Sequence, residues 1–311
     1  MKKTVKMIDQ LKYALAAMLV VGAGLVGCKK DVAPLSITET VNSNADFSIL
    51  KAAIARANLG DALGKGTLTV FAPNDAAFKN SGIDLAAVNA MAIPMLTSVL
   101  QYHVLGTTTT STAIPTAANT EVTTLGGAKA YITKNATGVT INGIKVSKPD
   151  LTASNGVIHV IDNVLMPPTG NIVQVAQANA NLTYLVAAVL RAGSTNTTLI
   201  PTLSNNTLTV FAPTNAAFIA AGFPTIASIN AAPPATLATI LLNHVVADRV
   251  FSSNLVAGNV AAVGGKPLTI TLGTGVQVRG AGNGTNNANV TAANIVATNG
   301  VVHVVDRVLL P

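Results

Sequence analysis

Chemistry in this chain of 311 residues would have to come from a short list of side chains. His103, His159, His244 and His303 are all of its histidines, and Cys28 is its one cysteine. Histidine is a common metal ligand, and here it falls as two pairs at matching places in two halves of the chain. A metal site needs further ligands close by. The chain has no second cysteine and few carboxylates near the histidines, so neither a metal nor any other cofactor is expected. His159 lies between Val157 and Ile161, and His303 between Val301 and Val305, each on one face of an apolar run. A histidine placed there is expected to be buried and hydrogen-bonded to backbone.

Catalytic constellations are equally sparse. His159 is followed three residues on by Asp162, and His303 by Asp306. On a strand that spacing turns the two side chains to opposite faces, whereas a triad needs the acid bonded to the base. No G-x-S-x-G elbow occurs. Beyond Asp162 the only acids are Asp248 and Asp306, a poor supply for paired-carboxylate chemistry. The run "RGAGNGTNNAN" (279–289) has neither the Lys-Ser/Thr of a phosphate loop nor the aspartates of a calcium loop. It reads as a long hairpin loop, and the Thr run 107–112 as a loop or solvated edge. The chain is expected to bind rather than catalyse. The alternative is a carbohydrate-processing or small-molecule-handling enzyme of the cell envelope.

The elements that must position these residues are written twice. "TLTVFAPNDAAF" begins at Thr67 and "TLTVFAPTNAAF" at Thr207. "SILKAAIARA" (48–57) matches "TYLVAAVLRA" (183–192), "VLQYHVLG" (99–106) matches "ILLNHVVA" (240–247), and "NGVIHVIDNVLMP" (155–167) matches "NGVVHVVDRVLLP" (299–311). Each unit is about 140 residues, the size of a globular domain, and "PPTGN" (167–171) suits a linker. Phe47, Leu50, Ile54 and Ala57 form a helical stripe, as do Leu182, Leu185 and Val189. "TLTVF" reads as a strand that Pro73 stops. Asn74 or Asp75, and Thr214 or Asn215, can cap the following helix. Phe71 with Phe78, and Phe211 with Phe218, are expected to clamp that strand–helix corner onto the core. The later half of each unit alternates β-formers with turn signals such as Asn142–Gly143. "GVIHVIDNVLMP" is apolar on both faces and should be a central strand. Helices followed by a meandering sheet make an α+β domain.

Charge is low, at 10% of residues against the usual ~25%. Much of the net +7 sits at the N-terminus. Without residues 1–27 it falls to +4, because Lys2, Lys3, Lys6 and Lys12 go and only Asp9 goes with them. No basic cluster remains for nucleic acid. The uncharged run "YALAAMLVVGAGLVG" (13–27) behind those lysines reads as an export signal and is short for a membrane span. "LVGC" resembles a bacterial lipobox, which implies cleavage after Gly27 and a lipid on Cys28. An ordinary signal peptide that happens to end at a cysteine is the other reading. Residues 28–35 read as a tether, and its charged start resembles export signals of Bacteroidetes lipoproteins.

The paired T-L-T-V-F-A-P-x-x-A-A-F motifs, the histidine box and N-G-V-[IV]-H-V-[IV]-D-x-V-L-x-P together resemble the fasciclin-like domain. The resemblance covers residues 36–167 and 170–311. It implies two tandem domains, each a roughly seven-stranded β-wedge with packed helices, in a secreted or membrane-anchored adhesion protein. In some animal fasciclin domains a Tyr-His in the central box is implicated in receptor binding. Here that pair is Tyr102–His103, replaced by Asn243–His244 in the second copy. The same pair also fits a buried anchor fixing helix to sheet. The expected partners are the outer membrane through the lipid on Cys28, and a protein or glycan at the cell surface. Weak self-association and a surface or periplasmic location belong to the same expectation.

Overall fold

The computed structural model of the chain describes residues 34–311. The expected signal segment 1–27, Cys28 and most of the tether lie outside the described residues. The first domain opens with α1 (Ile37–Ser43), α2 (Ser48–Arg56) and α3 (Gly60–Leu63). Then come β1 (Leu68–Pro73), α4 (Asp75–Asn80), α5 (Leu85–Ala90) and α6 (Ile93–Tyr102). Six strands complete it: β2 (Val104–Leu105), β3 (Thr120–Thr123), β4 (Lys129–Asn135), β5 (Gly138–Ile141), β6 (Ile144–Ala153) and β7 (Gly156–Ile161).

The second domain repeats the order. It has α7 (Ile172–Gln177), α8 (Thr183–Gly193), α9 (Leu199–Asn205), β8 (Leu208–Pro213), α10 (Asn215–Ala220), α11 (Ile226–Ala231) and α12 (Pro234–Leu242). The strands β9 (Val245–Val246), β10 (Gly258–Ala261), β11 (Pro267–Leu272), β12 (Val276–Gly280), β13 (Ala288–Ala297) and β14 (Gly300–Val305) follow.

Each domain has a seven-stranded sheet in the order β2-β1-β7-β6-β5-β4-β3, or its equivalent β9-β8-β14-β13-β12-β11-β10. As the apolar run predicts, β7 is central. It pairs in parallel with β1 and antiparallel with β6. Strand alternation sends Leu68, Val70, Ala72, Ile158 and Val160 into a core under the helices, and Phe71 and Ile161 into a second core inside the wedge. The second domain divides its core in the same way.

That division corrects the expected corner clamp. Phe78 packs under the helices, while Phe71 faces the wedge. The two rings serve opposite sides of the sheet, because residues along a strand alternate faces. The expected helical stripe of the second domain is also shifted: Leu182, Leu185, Ala188 and Ala192 are buried, and Val189 is half-buried.

Thr69, Asn74, Asp75 and their counterparts in the second copy have internal work, while Thr67 and Thr207 are exposed. Asn74 Oδ1 accepts from Ala77 N at 2.8 Å and Thr214 Oγ1 from Ala217 N at 3.2 Å, capping α4 and α10. Asp75 reaches back to a second helix, accepting from Ile49 N at 2.9 Å and Ser48 Oγ at 2.6 Å. Asn215 does the same for Tyr184 N at 3.0 Å. Buried Thr69 donates to Thr107 O at 2.6 Å and accepts from Thr109 N at 2.8 Å, so the Thr run is tied down at its base. Asn74→Ala should lower the stability of the first domain by about 1 kcal/mol. A urea titration that shows no shift in midpoint would contradict this.

The Asn-Gly pair that opens each last strand has a steric cause. A Cβ on Gly156 or on Gly300 would lie 1.9 Å from Leu68 O or Leu208 O, respectively. Only glycine lets β1 and β8 run past at that distance. Asn155 accepts from Ile37 N and donates to Leu63 O, both within 2.9 Å. Asn299 makes the same two bonds to Ile172 N and Leu203 O. Each asparagine thereby ties the start of the first helix to the end of the third.

Candidate functional site

All four histidines are buried, and each has both ring nitrogens occupied by backbone. His103 and His244 follow the last residues of α6 and α12. Nδ1 of His103 donates to Val99 O at 2.7 Å, and its Nε2 accepts from Leu165 N at 2.9 Å. His244 repeats this with Ile240 O and Leu309 N, both at 2.8 Å. His159 donates from Nε2 to Thr109 O at 2.9 Å and accepts from Asp150 N at 3.1 Å. His303 bonds Val250 O and Asn294 N in the same way. Asp150 and Asn294 are left-handed, with φ of 60° and 63°, and both sit at the register shift of β6 or β13. The strand histidines thus hold the irregular turn of each sheet. Their rings lie 5.3 Å from Phe71 and 5.5 Å from Phe211.

A ring that accepts one N–H and donates to one carbonyl is a neutral imidazole. Burial lowers His103 and His244 to about 4, with the hydrogen bonds to Val99 and Ile240 opposing it only in part. His159 and His303 are lowered in the same direction by burial. Among the described residues, no three His, Cys, Asp or Glu side chains come together as a metal site would require. Asp162 does not approach His159, whose partners are Thr109 and Asp150.

Tyr102 and His103 are 1% and 3% exposed. The Tyr102 hydroxyl donates to Lys129 O at 2.8 Å and accepts from Asn142 Nδ2 at 2.9 Å. Burial, partly offset by the bond from Asn142, pushes this phenol up to about 12. The pair fixes the end of α6 to β4 and to the stretch after β7. In the second domain Asn243 donates to Leu309 O at 3.1 Å, but its Oδ1 is buried without a partner. The network around Tyr102 has no counterpart there.

Residues Leu35–Pro311 form one compact unit, in which the two domains meet through side chains. Arg249 carries the junction. Its guanidinium lies 4.0 Å over the ring of Tyr131, a cation–π contact, and donates to Ala297 O, Thr298 O and Gly300 O. Its own carbonyl accepts from Asn119 Nδ2 at 2.6 Å. Phe251 packs on Tyr131 with ring centroids 6.1 Å apart. Asn254 donates to Asn119 Oδ1 at 2.9 Å and to Thr133 Oγ1 at 3.2 Å. The Asn142–Gly143 turn touches the second domain so closely that a Cβ on Gly143 would meet the Asn294 side chain at 2.6 Å.

Beside this junction lies a cleft of about 800 Å³ between the domains. Asn80, Ser81, Asn142 and Asn163 line one wall, and Ser252, Thr291 and Asn294 the other. Leu165, Val175 and Ile295 supply apolar floor, and Lys145 and Asp162 are the only charged lining residues. The wall rests on the Tyr-His pair: Asn142 is held by Tyr102, and the Leu165 backbone by His103. Neither Arg249 nor this cleft follows from the repeated motifs; the one local signal is that Arg249 breaks the repeat where the first copy has Thr108.

The loop 279–289 is not a free hairpin tip. Asn283 accepts from Gly280 N and Leu310 N and donates to Val308 O, so the loop clasps the C-terminal segment. Among the described residues, no helix is long and apolar enough to cross a membrane.

Protein sll1483 of a Synechocystis strain is 38% identical over 139 residues, covering 43% of this chain and 74% of that protein. The transforming growth factor-beta-induced protein ig-h3 of Sus scrofa is 30% identical over 254 residues. That match takes in 80% of this chain but only 35% of ig-h3. A solved FAS1 domain pair from the insect cell adhesion molecule fasciclin I aligns at 16% identity and a TM-score of 0.41, over 85% of this chain and 96% of that one. The model for the fasciclin domain matches residues 45–167 and 180–311, and the chain therefore belongs to the fasciclin domain family, with two copies in tandem.

Proposed function

We propose that this protein is a lipid-anchored adhesion or binding protein of the cell envelope, and that it holds a glycan or protein partner in the cleft between its domains. The cleft itself carries this reading. Its walls are amides and hydroxyls over an apolar floor, which suits a neutral partner rich in hydroxyl or amide groups. Fasciclin domains are found in cell-adhesion proteins such as the insect molecule. Tyr102 and His103 enter as positioning residues that hold Asn142 and Leu165 in the wall. Glycoside hydrolysis would call for two carboxyl groups, and of the lining residues only Asp162 has one.

The test uses residues 34–311 in a glycan array and in pull-downs of cell-surface protein. Thr291→Arg and Lys145→Glu place bulk or reversed charge at exposed positions of the cleft. Each should weaken capture at least about tenfold, the equivalent of ~1.4 kcal/mol, without changing the melting temperature. Undiminished capture by both variants would place the partner elsewhere.

The anchor rests on "LVGC" and on Cys28 being the single cysteine. Cys28→Ala should abolish lipidation and leave an uncleaved precursor or a soluble product. Mass spectrometry that finds unmodified Cys28 in membrane-extracted protein would refute the anchor. Residues 36–167 and 170–311 are assigned as separately folding domains, since each contains its own helix-side and wedge cores.

A further inference from the structure

The two domains are each other's internal control, and among their differences is one between the first helices and the sheet. The second domain has an apolar cavity of about 100 Å³ between α7, α8, α9 and the sheet. The asparagine bonds to Ile37 N and Ile172 N, together with the 48–57 and 183–192 match, set the correspondence of the helices. Buried Val41 and Ile54 of the first domain correspond to Ala176 and Val189 in the second, so the lining there has lost methyl groups. At the rim, Thr38, Lys51 and Ala55 correspond to Val173, Val186 and Leu190, so the mouth has become apolar. In the first domain Thr38 Oγ1 donates to Gly60 O at 2.9 Å and holds α1 against α3. Val173 cannot make that bond. Leu190 is left 57% exposed at the opening.

The cavity offers nothing to water. Its only polar lining residues are Gln177, exposed at the rim, and His244. Both nitrogens of His244 are already bonded to Ile240 O and Leu309 N. Apolar cavities of this kind stay dry and take apolar guests; one of about 150 Å³ is large enough for benzene. A peptide entering here would bring backbone N–H and C=O groups to a rim with one polar side chain to receive them, and unpaired polar groups are costly to bury. An alkyl chain brings none.

We infer that the second domain binds an unbranched fatty acyl chain, its terminal few carbons in this cavity and the following methylenes along Val173, Val186 and Leu190. Among the described residues no charged side chain lines the site, so affinity comes from the tail and should increase with chain length rather than with head-group charge. This site is separate from the cleft, and its fate does not depend on that reading.

The experiment titrates residues 34–311, the compact unit with all four cores, with decanoate below its micellar concentration, using displacement of a fluorescent fatty acid and calorimetry. One saturable site per chain is expected, with affinity rising from octanoate to dodecanoate and a higher melting temperature when loaded. The double variant Ala176→Val with Val189→Ile restores the larger side chains of the first domain. It should melt at or above the parent temperature and lose at least about tenfold in affinity. Val186→Lys, which copies Lys51 at the half-buried rim, should weaken binding as well. Equal binding by the parent and both variants, or no saturable binding by the parent, would overturn the inference. So would a concentration-dependent dimer of the parent that both variants abolish in place of decanoate binding, since the face would then be an interface between copies.

Discussion

Phe71→Ala and Phe78→Ala should each unfold or strongly destabilise the first domain, for reasons on opposite sides of one sheet. Phe71 is buried in the wedge, packed on the ring of His159. Phe78 is buried under the helices. Truncating a buried phenylalanine removes its transfer free energy and leaves a cavity, for a loss of ~3–5 kcal/mol. A domain has ~5–15 kcal/mol in all, so one such change can consume most of it. With each domain folding as its own unit, a calorimetric scan of either variant should show the first transition lowered or lost and the second preserved. A loss under about 1 kcal/mol for either residue would contradict the core assignment. Loss of both transitions together would mean that the Arg249–Tyr131 junction couples the domains into one cooperative unit.

Acid should destabilise both domains well before the carboxylates protonate. His103 and His244 have an ordinary value of 6.5 and are held at about 4 in the fold. Between those values the unfolded chain takes up protons that the folded chain refuses, so stability falls as pH falls. The contribution is fully present above about pH 6.5 and has gone below about pH 4. Each site changes stability by about 1.4 kcal/mol per pH unit in that window, on the order of 3 kcal/mol over its width. His159 and His303, also lowered, act in the same direction. Asp150 works in a lower window. Burial raises its carboxyl, but the bonds from Ser111, with His159 and Lys134 nearby, outweigh this and hold it below 3.8. Urea midpoints taken from pH 7 to 4.5 should therefore fall steadily, and His103→Gln should lose stability at pH 7 but show a shallower slope. A stability that stays flat down to pH 4.5 would mean that these rings are not neutral in the fold.

Much of the architecture is readable along the chain because its causes are local. Runs apolar on both faces mark β7 and β14, Pro73 ends a strand, and Asn74 and Thr214 cap the helices that follow. In the repeated motifs Thr69, Asn74, Asp75, Asn155 and Gly156 each answer to a backbone group or a steric limit inside the domain. The expected export signal and the lipobox-like "LVGC" are also local patterns in the chain, and they lie outside the described residues. The expected clamp at Phe71 and Phe78 fails for a local reason too: strand alternation turns the first ring to the other face of the sheet from the second.

What the linear order could not supply was how distant residues meet. Asn119 and Arg249, 130 positions apart, share a junction only because the two domains pack against each other, and the cleft beside it has no existence in either repeat alone. The fatty-chain cavity depends likewise on small volume differences, Val41 against Ala176 and Ile54 against Val189, which matter only once helices pack on a sheet. Hydrogen-bond caps, turns and strand stops act over a few residues and are written in the order of the chain. Volume, burial and the approach of two domains are properties of packing, and they are set by residues that the chain keeps far apart.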